Sequence, residues 1–183
     1  MGVSQAMRKE DDMERIAGLL GDTPVFSQFD RWTLQYMAGL AERSQYKPNE
    51  WLFHELEPRA WLGILEEGEV RIVRSHDDQQ VCLAVRGRGS ILSERIIVED
   101  RPHTVGSFTQ RGAVIIQFSR EALKRIKKNH PDLYYRLVAR TTELVNDRMR
   151  YAAERPTIED ISYLERNAGV EGTKDTWSIL RNK

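Results

Sequence analysis

LGILEEGEVRIV, residues 62–73, sets two short apolar runs on either side of Glu66-Glu67-Gly68-Glu69. Runs of four or five residues rich in Leu, Ile and Val read as strands, and glycine is the residue that enters a tight reversal without a Cβ penalty. The spacing predicts strands at Trp61–Leu65 and Val70–Val73 joined by a tight hairpin at 66–69. Working outward, the same grammar repeats. Trp51-Leu52-Phe53 precedes it behind the Glu57-Pro58 break, and Val81–Val85 follows a second turn at Ser75-His76-Asp77-Asp78. Beyond Gly87 and Gly89 come Ile91-Leu92, Thr104–Thr109 and Ala113–Phe118. Many short strands separated by turn signals from Ser44 onward call for a small barrel or jelly roll.

The flanks change period. Met13, Ile16, Ala17, Leu19 and Leu20 follow helical spacing within Lys9–Leu20, and Gly21-Asp22 ends that helix. Asp30 is placed to cap a second helix carrying Trp32, Leu34, Met37, Ala38 and Leu40. After the last strand, Ser119 opens a helix through Ile126, His130-Pro131-Asp132 breaks it, and a longer helix runs from Asp132 to about Ala153. The chain divides into a flexible start at 1–8, a folded unit at 9–154 and a tail at 155–183. The fold expected is mainly β with flanking helices: a jelly-roll barrel with N-terminal helices and a C-terminal helix pair.

Composition narrows the function. Lysine plus arginine equals aspartate plus glutamate at 28 each, so no net field draws the chain to nucleic acid or an anionic membrane. Cys82 is the single cysteine and reads as a small buried residue, which excludes an intrachain disulfide. No stretch of about 18 uncharged apolar residues occurs and the N-terminus lacks an apolar leader, so a cytoplasmic protein without membrane insertion is expected. His54, His76, His103 and His130 stand apart, with no His-x-His pair, and no nucleophile elbow, P-loop or dinucleotide fingerprint is present. No enzyme and no cofactor are expected.

LGILEEGEVRIV, the segment Ser93–Val105 (SERIIVEDRPHTV) and FSREALKRIKKNHPDLYYRLV together resemble the cyclic nucleotide-binding domain family over roughly Leu19–Met149. The family includes catabolite activator protein and protein kinase A regulatory subunits. The middle segment resembles its phosphate-binding cassette. The resemblance implies that Glu94 accepts the ribose 2′-hydroxyl, that Arg101 pairs with the cyclic phosphate, and that the backbone of Ile96 and Ile97 offers N–H groups to the anion. His103 and Thr104 follow the arginine, Leu83, Val85 and Ile91 would line the base pocket or the core beneath it, and Thr141 sits where family members touch the base. Four departures stand out. Serine replaces glycine at 93, leucine replaces glycine at 56, the spacer from Glu94 to Arg101 is about two residues short, and Pro102-His103 replaces two small residues.

The implied function is a non-catalytic sensor that binds cAMP or cGMP and signals to a protein partner through its C-terminal helix and tail. Arg86 and Arg88, with Arg101, would also suit a ligand with more than one phosphate, such as cyclic di-GMP. The alternative is a module that binds no mononucleotide and serves interaction or dimerisation. Leu133, Leu137, Leu144 and Tyr151 lie near heptad spacing and offer a stripe for a homodimer. The tail from Thr157 lacks the length of a winged helix-turn-helix, so no DNA binding is expected. Its apolar residues, among them Trp177 and Leu180, would dock on the core or a partner, the alternative being that part of the tail is disordered.

Overall fold

The computed structural model describes residues 2–76 and 79–154. The turn residues Asp77-Asp78 and the tail 155–183, with the docking role expected of it, lie outside the described residues. Two helices, α1 (Gly2–Gly21) and α2 (Arg31–Ala38), lead into eight strands. These are β1 (Glu42–Tyr46), β2 (Glu50–Phe53), β3 (Trp61–Gly68), β4 (Val70–His76), β5 (Gln79–Arg86), β6 (Ile91–Leu92), β7 (Gly106–Thr109) and β8 (Ala113–Ser119). A 3₁₀ helix at Glu94–Ile97 follows β6, and α3 (Arg120–Asn129) and α4 (Pro131–Glu154) close the described chain. Helix α1 begins at Gly2 and not at Lys9, since GVSQAMR contains no proline or turn signal to stop it. Asp30 caps α2 as its position implies, accepting from the Thr33 N–H at 2.9 Å, and Ser119 caps α3 through the Ala122 N–H at 3.1 Å.

The strands form two four-stranded antiparallel sheets, ordered β1-β8-β3-β6 and β2-β7-β4-β5, which is the expected jelly roll. One local expectation is overturned. Residues 66–69 do not close a hairpin, because β3 pairs with β8 and β6 while β4 pairs with β5 and β7. The glycine turn is a corner at which the chain leaves one sheet for the other. Gly68 takes φ 85° there, and a Cβ on it would run into the carbonyl oxygen of Gly112.

The two-sheet arrangement explains the hydrophobic pattern. In β3 and β8 both faces are covered: Leu62, Ile64, Ile116 and Phe118 join the core against the helices, while Leu65, Ala113 and Ile115 join the barrel interior with Leu52, Phe53, Val70 and Leu92. Strands buried on both sides read as continuous apolar runs, as LGIL and AVII do. Between β3 and the helices, Glu66 is buried and is held by Arg15 of α1 and by Arg43 at 2.7 Å, which ties α1 to the barrel. The expected helix pair α3–α4 packs its Leu123, Ile126, Leu133 and Leu137 into the same helix-side core.

Candidate functional site

The cassette begins on Ser93, whose backbone is left-handed at φ 55°, ψ 25°. Leu56 takes φ 68°. Both sites at which the resemblance expects glycine therefore keep glycine-type backbone under another side chain, and each carries the strain that goes with it. From Ser93 the chain turns into the 3₁₀ helix, burying Ile96 and Ile97 in the helix-side core. The Ile96 N–H donates to the Ser93 carbonyl at 3.1 Å, so its amide is committed inside the turn.

A cavity of about 190 Å³ lies between sheet β2-β7-β4-β5, this turn and α4. Phe53, Ile72, Ile91, Leu92 and Val105 give it an apolar side. Arg59, Arg86, Arg95 and Arg148 bring four guanidinium groups to it, facing Ser93, Glu94, His103 and Thr104. Its volume is below the roughly 300–1,000 Å³ of ordinary small-molecule sites, and part of the reason is that the protein's own side chains reach into it.

Three of the four arginines are engaged. Arg148 of α4 donates to the Glu94 carboxylate at 2.5 Å and to the Ile91 carbonyl at 3.3 Å. Arg95 pairs with Glu99 at 2.9 Å. Arg59, its side chain only 3% exposed, pairs with Glu99 at 3.2 Å and donates to the Arg101 carbonyl. Burial pushes the Arg59 pKa down and Glu99 opposes that shift. Arg86 is also pushed down by burial, and next by the like charge of Arg148.

Of the residues expected at the site, Glu94, His103, Thr104 and Ile91 line the cavity. Others are placed differently. Arg101 is exposed and outside the lining. The segment is pinned instead through His103, whose N–H donates to the Glu57 carbonyl at 2.9 Å and whose carbonyl accepts from Leu56 N–H at 2.8 Å, and this turns the imidazole toward the cavity. His103 stacks on Phe53 with centroids 3.8 Å apart. Burial, then the neighbouring Arg59 charge, lower its pKa to about 4, so at neutral pH it brings a ring without a charge.

Leu83 and Val85 are half-buried on β5 and do not line the cavity, because strand alternation points them away from the face that carries Arg86. Ile72, on the neighbouring strand, takes the apolar role expected of them. Thr141 is fully buried on α4, outside the lining, with its hydroxyl unpartnered, whereas Thr142 back-bonds to the Val138 carbonyl at 2.8 Å. Arg148 was legible as an oddity of period: Leu137, Thr141, Leu144 and Arg148 share one helix face, and a charge in that row needs an inward partner. Arg59 follows Pro58 in a loop and has no such signal.

Residues 43–130 match the family model of the cyclic nucleotide-binding domain. Over these residues the chain is similar to a cyclic nucleotide-binding domain. Solved structures agree on the fold. A cyclic nucleotide-binding domain from Methylobacillus flagellatus KT superposes with TM-score 0.70 at 20% identity, over 81% of this chain and 83% of that one. Catabolite activator protein from Thermus thermophilus gives TM-score 0.64 at 18% identity over 72% of this chain, which spans 60% of that protein. The regulatory domain of Toxoplasma gondii PKA, crystallised with cAMP, gives 0.59 at 17% identity over 64% of this chain and 45% of its own. No curated protein matches the sequence. Such a domain is a regulatory, ligand-binding fold, and among the described residues no helix is long and apolar enough to cross a membrane.

Proposed function

We propose that this chain is a non-catalytic sensor that binds a cyclic mononucleotide, cAMP or cGMP, in the barrel cavity and passes occupancy to a protein partner through α4. The observation that carries the reading is the contact between Arg148 and Glu94. It joins Glu94, among the described residues the one carboxylate lining the cavity, to the helix that covers it. A ribose hydroxyl seeking Glu94 competes with Arg148, and a nucleotide needs more room than about 190 Å³. Entry therefore favours a conformation in which Arg148 has left and α4 has shifted, and that differential preference is what a sensor requires.

The neighbouring guanidiniums favour a second reading within the same class, a ligand with two phosphates such as cyclic di-GMP. Isothermal titration of the full chain with cAMP, cGMP and cyclic di-GMP decides among them. Micromolar heat with a mononucleotide, weakened about 1.5–3 kcal/mol by Glu94→Ala, supports the sensor. Heat with cyclic di-GMP alone moves the assignment to the second reading. Silence with all three leaves an interaction module and ends the proposal.

A further inference from the structure

Arg86 differs from the other arginines of the cavity in having nothing to hold. Arg59 and Arg95 share Glu99, and Arg148 holds Glu94, but among the described residues the Arg86 side chain makes no hydrogen bond and no ion pair. It is half-buried at the end of β5 and lines the cavity, where the like charge of Arg148 opposes its own and the carboxylate of Glu94, already held by Arg148, offsets that only in part. A desolvated guanidinium beside another one is costly unless an anion comes between them.

A second group in the same cavity is a buried hydroxyl. Ser93 is 9% exposed, and its hydroxyl is buried with no hydrogen-bond partner. A hydroxyl donor and an uncommitted guanidinium fork across one concave, arginine-rich surface have the chemistry of a phosphoryl receptor. Serine at this left-handed position is conformationally unfavourable, and strain of that kind is retained where the side chain has a use.

We infer that Arg86, together with the Ser93 hydroxyl, receives the phosphoryl group of the ligand, in place of Arg101. The inference rests on the cavity being the ligand site of the proposed sensor. It moves the anion from the loop before β7 to the β5–β6 side, next to α4. Phosphate bound there lies between Arg86 and Arg148 and draws Arg148 away from Glu94, so charge recognition and release of the helix are one event.

The test follows the arginine Nε–Hε signals of the ¹⁵N-labelled full chain during titration with inorganic pyrophosphate, then with cAMP and cGMP, alongside calorimetry on Arg86→Gln and Arg101→Gln. Arg86 is expected to shift with pyrophosphate and with nucleotide. Affinity should fall about 10- to 150-fold in Arg86→Gln, the loss of a charge-assisted hydrogen bond, and by less than about twofold in Arg101→Gln. Because Arg86 has no partner to lose, Arg86→Gln should melt no lower than the parent, which shows the variant is folded. Nucleotide binding that survives Arg86→Gln overturns the inference and leaves the sensor standing. A response of Arg86 to pyrophosphate with no nucleotide bound keeps the receptor and ends the mononucleotide reading. An Arg86 signal indifferent to every anion ends the inference outright.

Discussion

At the scale of single residues, His103 turns burial into a pH dependence. Its ordinary pKa of 6.5 drops to about 4 in the fold, so the unfolded chain takes up a proton first as the solution is acidified. More protons bound by the unfolded state means stability that falls with pH, here between about 6.5 and about 4, with no further loss from this group below that. The loss should reach about 2 kcal/mol, the full shift being discounted for partial solvent screening. Urea midpoints measured from pH 7 to pH 4 should show a shallower slope for His103→Gln than for the parent, and equal slopes would remove the imidazole from the account. Ser93 and Leu56 test backbone strain at the same scale. Ser93→Gly relieves a left-handed serine and deletes a buried unpartnered hydroxyl, against the greater freedom glycine gives the unfolded chain. A net gain of about 1 kcal/mol is expected by chemical denaturation, with a smaller gain for the exposed Leu56→Gly. If the phosphoryl assignment holds, Ser93→Gly gains stability and loses ligand affinity together.

At the scale of elements, the corner between β3 and β4 carries more of the fold than its four residues suggest. Gly68 must be left-handed and must let the Gly112 carbonyl approach, so Gly68→Ala pushes the two sheets' shared corner apart. Backbone strain and overpacking together predict a loss of about 2–4 kcal/mol, read as a lower denaturant midpoint with an unchanged slope. The strands on either side were legible in the sequence because both faces of β3 and β8 are buried, which leaves long apolar runs. Their partners were not. A glycine turn between two strands has the same local composition whether it closes a hairpin or crosses between sheets, and only the pairing of β3 with β8, separated by some forty residues, decides it. The cassette shows the same limit. That Glu94 would face the cavity, immediately after the left-handed residue that starts the turn, was readable. Which basic group faces the cavity depends on the backbone exchange of His103 with Leu56 and Glu57, a contact between distant segments that no spacing rule contains.

At the scale of the whole molecule, α4 decides whether a pocket becomes a sensor. Leu133, Leu137 and Thr141 are buried against the domain itself, with Val138 and Leu144 packed at the margin, so much of the stripe that suggested a dimer is used within the chain. Large apolar side chains left on the helix surface include Tyr135, 62% exposed, and Met149, 60% exposed. Two polar contacts then fix α4 to the cassette, Tyr134 Oη donating to the Ile97 carbonyl at 3.3 Å and Arg148 to Glu94 at 2.5 Å. The first sits near the root of the helix and the second near its far end, so removing the second should free the distal turns while the root stays packed. Arg148→Met preserves much of the side-chain length and deletes the charge. It leaves a largely buried Glu94 carboxylate without its cation, at a cost of about 1–3 kcal/mol. Hydrogen exchange should rise in α4 beyond Leu144 and stay unchanged around Leu133 and Leu137. In the parent, nucleotide should produce the same distal deprotection by displacing Arg148. In Arg148→Met, where the contact with Glu94 is already gone, nucleotide should change the exchange of α4 no further. Distal protection that is indifferent to the mutation would mean that packing alone holds the helix, and that the contact with Glu94 transmits nothing.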